Sequence, residues 1–295
     1  MKYIDEINKY YAAAIDYVAY LNAMDYSLKK PELFLPSGES QYKRIESIIN
    51  NSGLQAEAYF HKTLPEEVLY SVLCELKDLY GDSIDLFEIG NIYNMIRVSN
   101  GTNPFEGSYV ENNATGEKYL LFDRVDTLDS IPVVVHEGTH YLQDKFTTLD
   151  NGYHNEILPI LMELITAERL SETTPDSNIY KKNMSNRIRV IEELIREQIK
   201  LTKICQEQLG TSFEPKTSII KSYIDDIVYT YLVSFTYAFA LFKKYQSDPE
   251  YMLKNVRRIF SNYVSVDDLI KYYGIEFKDT RIADNLKNEI VLIKK

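Results

Sequence analysis

Apolar positions recur at three- and four-residue spacings along most of this chain, so the pattern predicts helix first. Residues 3–26 put Ile4, Ile7, Tyr11, Ala14, Ile15, Val18 and Leu21 on one stripe, after which Pro31, Pro36 and Gly38 break the chain. Further helices fit residues 40–61, 65–80 and 86–96. The period then changes. "GTNPFEG" is turn chemistry, and "SYVENNATGEKYLLFD" is two extended runs around the turn-former "NNATG", which predicts a hairpin within residues 101–125. This is the one hairpin the pattern supports.

Helical spacing resumes after "DRVDTLDSIP". Asp129 or Ser130 can cap the free amides there, and Pro132 suits a first turn, where no amide donor is needed. The loop "TTLDNGYHN" separates this helix from one over residues 155–171, which "TTPDS" ends. Long helices are predicted near 176–209 and 215–247, with shorter ones following. No internal repeat or low-complexity linker interrupts the chain. The expectation is one domain over residues 1–295, mainly α with a small β-sheet (α+β). Residues 1–100 would form a helical N-terminal part, 101–172 the hairpin and two central helices, and 173–295 a helical C-terminal part.

Composition narrows the function classes. The 295 residues carry a net charge of −11, which argues against nucleic-acid and anionic-membrane surfaces, since both need basic patches. No run of about 18 apolar residues suggests a transmembrane helix. Asp5, Glu6 and Asp16 interrupt the first apolar pattern, unlike a signal peptide. The two cysteines, Cys74 and Cys205, suggest no disulfide framework, and a cytoplasmic location is expected. The 25 tyrosines read as amphipathic packing residues. Nothing in the pattern indicates an oligomeric state.

Chemistry enters at "VVVHEGTHYLQD". On a helix, His136 and His140 lie one turn apart on one face, so both imidazoles can reach one ion. Glu137 projects about 100° away, able to hold a water on that ion without ligating it. Two neutral nitrogen ligands and a general base are the physical content of H-E-x-x-H, and one Zn²⁺ per chain is the expected cofactor. Zinc would lower the pKa of its water, and Glu137 would take the proton as the water attacks a carbonyl.

A third ligand is needed. Gln143 and Phe146 stand where an H-x-x-G-x-x-H extension would need Gly and His, so that variant is excluded. The next helix offers Glu156, Glu163 and Glu168. Glu156 and Glu163 share a face two turns apart, while Glu168 points elsewhere. Glu163 is favoured because Ile160, Leu161, Met162, Leu164 and Ile165 surround it, and a carboxylate there needs a cation or a partner. Glu156 stays open, because near a helix start it could simply favour the dipole. His154 is a candidate for binding substrate or orienting Glu156.

Three stretches resemble the M3-type zinc oligopeptidases, the relatives of oligoendopeptidase F and thimet oligopeptidase. "YLLFDRVDTLDSIPVVVHEGTHYLQD" resembles the segment leading into their H-E-x-G-H helix. "LPILMELITAERL" resembles their third-ligand helix, and "YTYLVSFTYAFALFKKY" with "VSVDDLIKYYGIEF" resembles their tyrosine-bearing C-terminal helix. The resemblance implies a zincin-like fold, His136, His140 and Glu163 as zinc ligands, and Glu137 as base. It also implies a tyrosine donating to the oxyanion of the tetrahedral intermediate. Tyr229 and Tyr231 match best, with Tyr237 a weaker match assigned to substrate binding.

The expected function is therefore zinc-dependent hydrolysis of short peptides, gluzincin in type. The substrate would add a strand along the edge near residues 117–122. One alternative is a zinc-containing, catalytically inactive protein that binds peptides or a protein partner. Another is a helical interaction protein without metal.

Overall fold

A computed structural model describes residues 66–82, 84–99, 103–112, 115–147, 154–174, 178–190, 219–261 and 265–275. The expected helices at 3–26 and 40–61, and Cys205, lie outside these residues. So do residues 191–218, which take in most of the helix expected near 176–209.

The described elements run α1 (Glu66–Leu76), α2 (Leu86–Met95), β1 (Ile96–Val98), β2 (Gly107–Glu111), β3 (Lys118–Phe122), α3 (Ile131–Phe146), α4 (His154–Thr173), α5 (179–190), α6 (Ile219–Ser247), α7 (Pro249–Phe260) and α8 (Val266–Tyr272). The described residues are mainly helical with one small mixed sheet, as the periodicity predicts. No helix among the described residues is long and apolar enough to cross a membrane.

The hairpin forms where the pattern changes period, but it is not alone. β1 pairs in parallel with β3, Ile96 opposite Leu120 and Val98 opposite Phe122, while β2 pairs antiparallel on the other side. Three residues directly continuing a helix carry too little alternation to be read as a strand. Their pairing corrects the expected substrate edge: β3 is the central strand, paired with β2 along its length and with β1 at Leu120–Phe122. Asp123 N donates to Glu106 O and Asn112 N to Glu117 O, so even-numbered β2 residues face β3. The main-chain groups of Gly107, Tyr109 and Glu111 therefore point to the outer edge, open among the described residues.

β3 buries Leu120 and Phe122 and turns Leu121 outward. A Cβ at Gly107 would stand 2.7 Å from the Phe122 ring and 2.9 Å from Val133, so β2 lies directly on α3. Tyr109 adds a second tie, its hydroxyl donating to Asp144 Oδ2 at 2.9 Å.

α3 starts differently from the expected cap. Thr127 and Ser130 form a capping box around the 3-10 turn Leu128–Ser130, and that turn runs straight into α3. Asp129 instead pairs with Lys182 Nζ at 3.0 Å. Pro132 occupies the first turn as expected. α4 is the central helix, packed between α3 and α6, and it buries residues on every side from Ile157 to Ala167. Burying one of its leucines or isoleucines contributes roughly 1.5–3 kcal/mol. Within that apolar run Glu163 is 1% exposed, so its charge must be met by protein groups close at hand.

Candidate metal centre

The H-E-x-x-H residues occupy the middle of α3, with His136 and Glu137 buried and His140 at the rim. The two residues between the polar positions serve packing. Gly138 lets Ile92 of α2 approach, a Cβ there standing 3.2 Å from it. Thr139 hydrogen-bonds the Tyr80 hydroxyl at 3.0 Å.

α4 brings Glu156 between the two imidazoles. Its Oε2 is 3.4 Å from His136 Nε2 and its Oε1 is 3.5 Å from His140 Nε2. Donors about 2.0–2.2 Å from a tetrahedral zinc stand about 3.3–3.6 Å apart, so these spacings suit one ion. Ligand atoms of all three residues lie within 4.8 Å of one another. Glu156 Oε2 is buried and makes no hydrogen bond to the described residues, a cost that a bound cation would remove.

Glu163, the favoured third ligand, is placed elsewhere. Its Oε1 accepts from Asn183 Nδ2 at 2.6 Å and from Arg187 Nε at 2.9 Å. Its Oε2 meets Arg187 Nη2 and stands 2.8 Å from His136 Nδ1. Those donors leave it no share in the Nε2 side of the rings, which corrects the sequence-based choice. The buried carboxylate did need a partner, but that partner is a guanidinium from α5. The Arg187 charge, with His136, holds the Glu163 carboxyl down to about 2 against the opposing effect of burial. Neither Arg187 nor Asn183 carries a motif, and no signal in the sequence singles them out.

Glu137 is held from the sheet. Its Oε2 accepts the main-chain amide of Tyr109 at 2.8 Å, and its Oε1 lies 3.9 Å from His136 Nε2. One oxygen is thus fixed to the open edge of β2 while the other faces the donor cluster.

Among the described residues, three carboxylates, Glu137, Glu156 and Glu163, gather around the guanidinium of Arg187 and the two imidazoles, a setting that favours a cation. Burial and Arg187 favour a neutral His136, yet the three carboxylates outweigh them and push it up to about 9. His136 and His140 hold Glu156 well below the usual carboxylate range, despite its burial.

Of the tyrosines on α6, Tyr231 is half-buried and faces this charge. The Glu156 carboxylate, then burial and Glu137, push its phenol up to about 12, so the hydroxyl stays a donor. Tyr237 is packed in the hydrophobic core at 4% exposure, which corrects its assignment to substrate binding. Six residues separate it from Tyr231, which turns it well off the face Tyr231 presents. Tyr229 and His154 lie on α6 and at the start of α4, with their side chains outside the described set. Glu168 points away, accepting from Gln246 Nε2 at 2.6 Å.

No protein-family model, curated protein or solved structure matches the chain.

Proposed function

We propose that this protein is a zinc-dependent peptidase acting on short peptides, with a zincin-like arrangement of edge strand, motif helix and ligand helix. His136, His140 and Glu156 would hold the ion, Glu156 taking the place that the resemblance to M3-type oligopeptidases gives Glu163. When bound, zinc supplies Lewis acidity toward the scissile carbonyl and toward the attacking water.

The rest is done by the chain itself. Glu137 takes the proton from the water and passes it to the departing amine, using the oxygen that the sheet leaves free. Tyr231 donates its hydroxyl to the oxyanion as charge develops there. The open edge of β2 pairs with the substrate main chain through Gly107, Tyr109 and Glu111. Because Glu137 occupies the Tyr109 amide, Tyr109 offers the substrate only its carbonyl.

The carrying observation is the orientation of Glu137, one oxygen on the edge-strand amide and the other toward the donor cluster. A helix bearing two histidines by coincidence has no reason to point a buried carboxylate at them from that strand. The test is to incubate the zinc-loaded protein with a mixed peptide library and read products by mass spectrometry. Cleavage lost in Glu137→Gln with zinc retained supports the reading. Tight peptide binding without cleavage would replace it with the inactive binding protein, and failure to bind zinc would remove both.

A further inference from the structure

A buried imidazole can present a lone pair from Nε2 only if its Nδ1 carries the hydrogen and finds an acceptor for it. Two groups stand at His136 Nδ1, each 2.8 Å away: Glu163 Oε2, an acceptor, and Arg187 Nη2, which can only donate. They ask opposite things of the ring. A donor at Nδ1 requires a bare nitrogen there, which places the hydrogen on Nε2 and turns N–H toward Glu156. An acceptor at Nδ1 frees the Nε2 lone pair for the two other donors of the cluster.

The contact between the two groups themselves weighs the conflict toward the acceptor. Arg187 Nη2 meets Glu163 Oε2, and Arg187 Nε donates to Glu163 Oε1 at 2.9 Å, so the guanidinium is turned onto the carboxylate along both bonds. Asn183 holds Oε1 from a third direction at 2.6 Å. We infer that Glu163 is a positioning residue that keeps Arg187 from donating to His136 and thereby makes His136 a metal ligand, while Arg187 without Glu163 closes the site. This rests on the metal-centre reading above and assigns the pair a part in loading the ion, outside the chemical step.

The consequence differs from that of an ordinary supporting contact, where a second loss adds to the first. Here removing the carboxylate alone leaves a buried donor facing Nδ1, and removing both leaves the ring free to turn its lone pair to the ion. Zinc affinity is read by competition with a chromophoric chelator for the wild type, Glu163→Ala, Arg187→Met and the double variant, with folding checked by circular dichroism. Glu163→Ala should lose about 10- to 100-fold in zinc affinity. The double variant should regain about tenfold over Glu163→Ala, because the opposed donor is gone. A double variant that binds zinc no better than Glu163→Ala overturns the inference.

A measurement on the wild type alone stands behind the variants. In the zinc-loaded protein, nitrogen-15 NMR should find the His136 hydrogen on Nδ1, with a downfield proton resonance typical of a bond to carboxylate. Zinc bound through Nδ1, or an Nδ1 proton without that shift, overturns the inference while leaving the peptidase reading in place. Zinc binding absent from the wild type overturns the metal-centre reading first and this inference with it.

Discussion

The main-chain amide of Tyr109 donates to Glu137 Oε2 at 2.8 Å, so an open-edge strand and the glutamate of the histidine helix are one unit. Main-chain amides do not rotate away from their strand, and the carboxylate they hold is fixed with them. That tie makes Glu137 the first residue to test. Glu137→Gln should keep its zinc and lose about 10²–10⁴-fold in kcat, because the amide cannot accept the water's proton. Peptide-cleavage rates beside elemental analysis of the same sample check both halves.

The choice between two glutamates is equally direct. Glu156→Ala removes a carboxylate shared by both Nε2 atoms, and purified protein should contain little zinc after desalting. Glu156→Gln, with an oxygen still available but no charge, should bind zinc more weakly than the wild type and more tightly than the alanine variant.

Tyr231→Phe should lower kcat by about 10²–10³-fold with little change in KM, since its hydrogen bond matters only as the oxyanion forms. Tyr237→Phe, in the core, should change kcat by no more than a few-fold. Equal loss in both variants would remove Tyr231 from its role.

Gly107 is a steric prediction. Gly107→Val would drive its side chain into Phe122 and Val133 and lift β2 from α3, at a cost of about 1–3 kcal/mol. Thermal unfolding should show the lowered Tm, and the variant should lose activity beyond what its folded fraction explains, because the Glu137 anchor moves.

Metal removal and pH are linked through His136. In metal-free protein its folded value of about 9 lies above the ordinary 6.5. A raised value stabilises the fold fully below pH 6.5 and less and less as pH rises through 9. Metal-free protein should therefore lose Tm over that interval. Zinc-loaded protein should not show that loss, since the ligated ring carries no such proton. Parallel melts with zinc and with a chelator test the sign.

How much of this was legible beforehand follows from the range over which each feature is decided. Helical spacing, the hairpin around "NNATG", the one-turn separation of His136 and His140 and the offset of Glu137 are set within a few residues by backbone geometry. The sequence alone therefore determined the helical class, the hairpin and the pair of imidazoles. It also determined that Glu156 and Glu163 share a face, because seven residues are two turns. It could not say which of them stands between the two imidazoles, since that depends on how deep α4 lies against α3. Nor could it show that the apolar surroundings of Glu163 contain Arg187, a residue 24 positions away on another helix. β1 escaped notice because three residues hold too little pattern, and its pairing moved the open edge from β3 to β2. Periodicity is a local property of the chain, whereas charge partners and strand neighbours are chosen by packing between distant segments, and only the tertiary structure decided those.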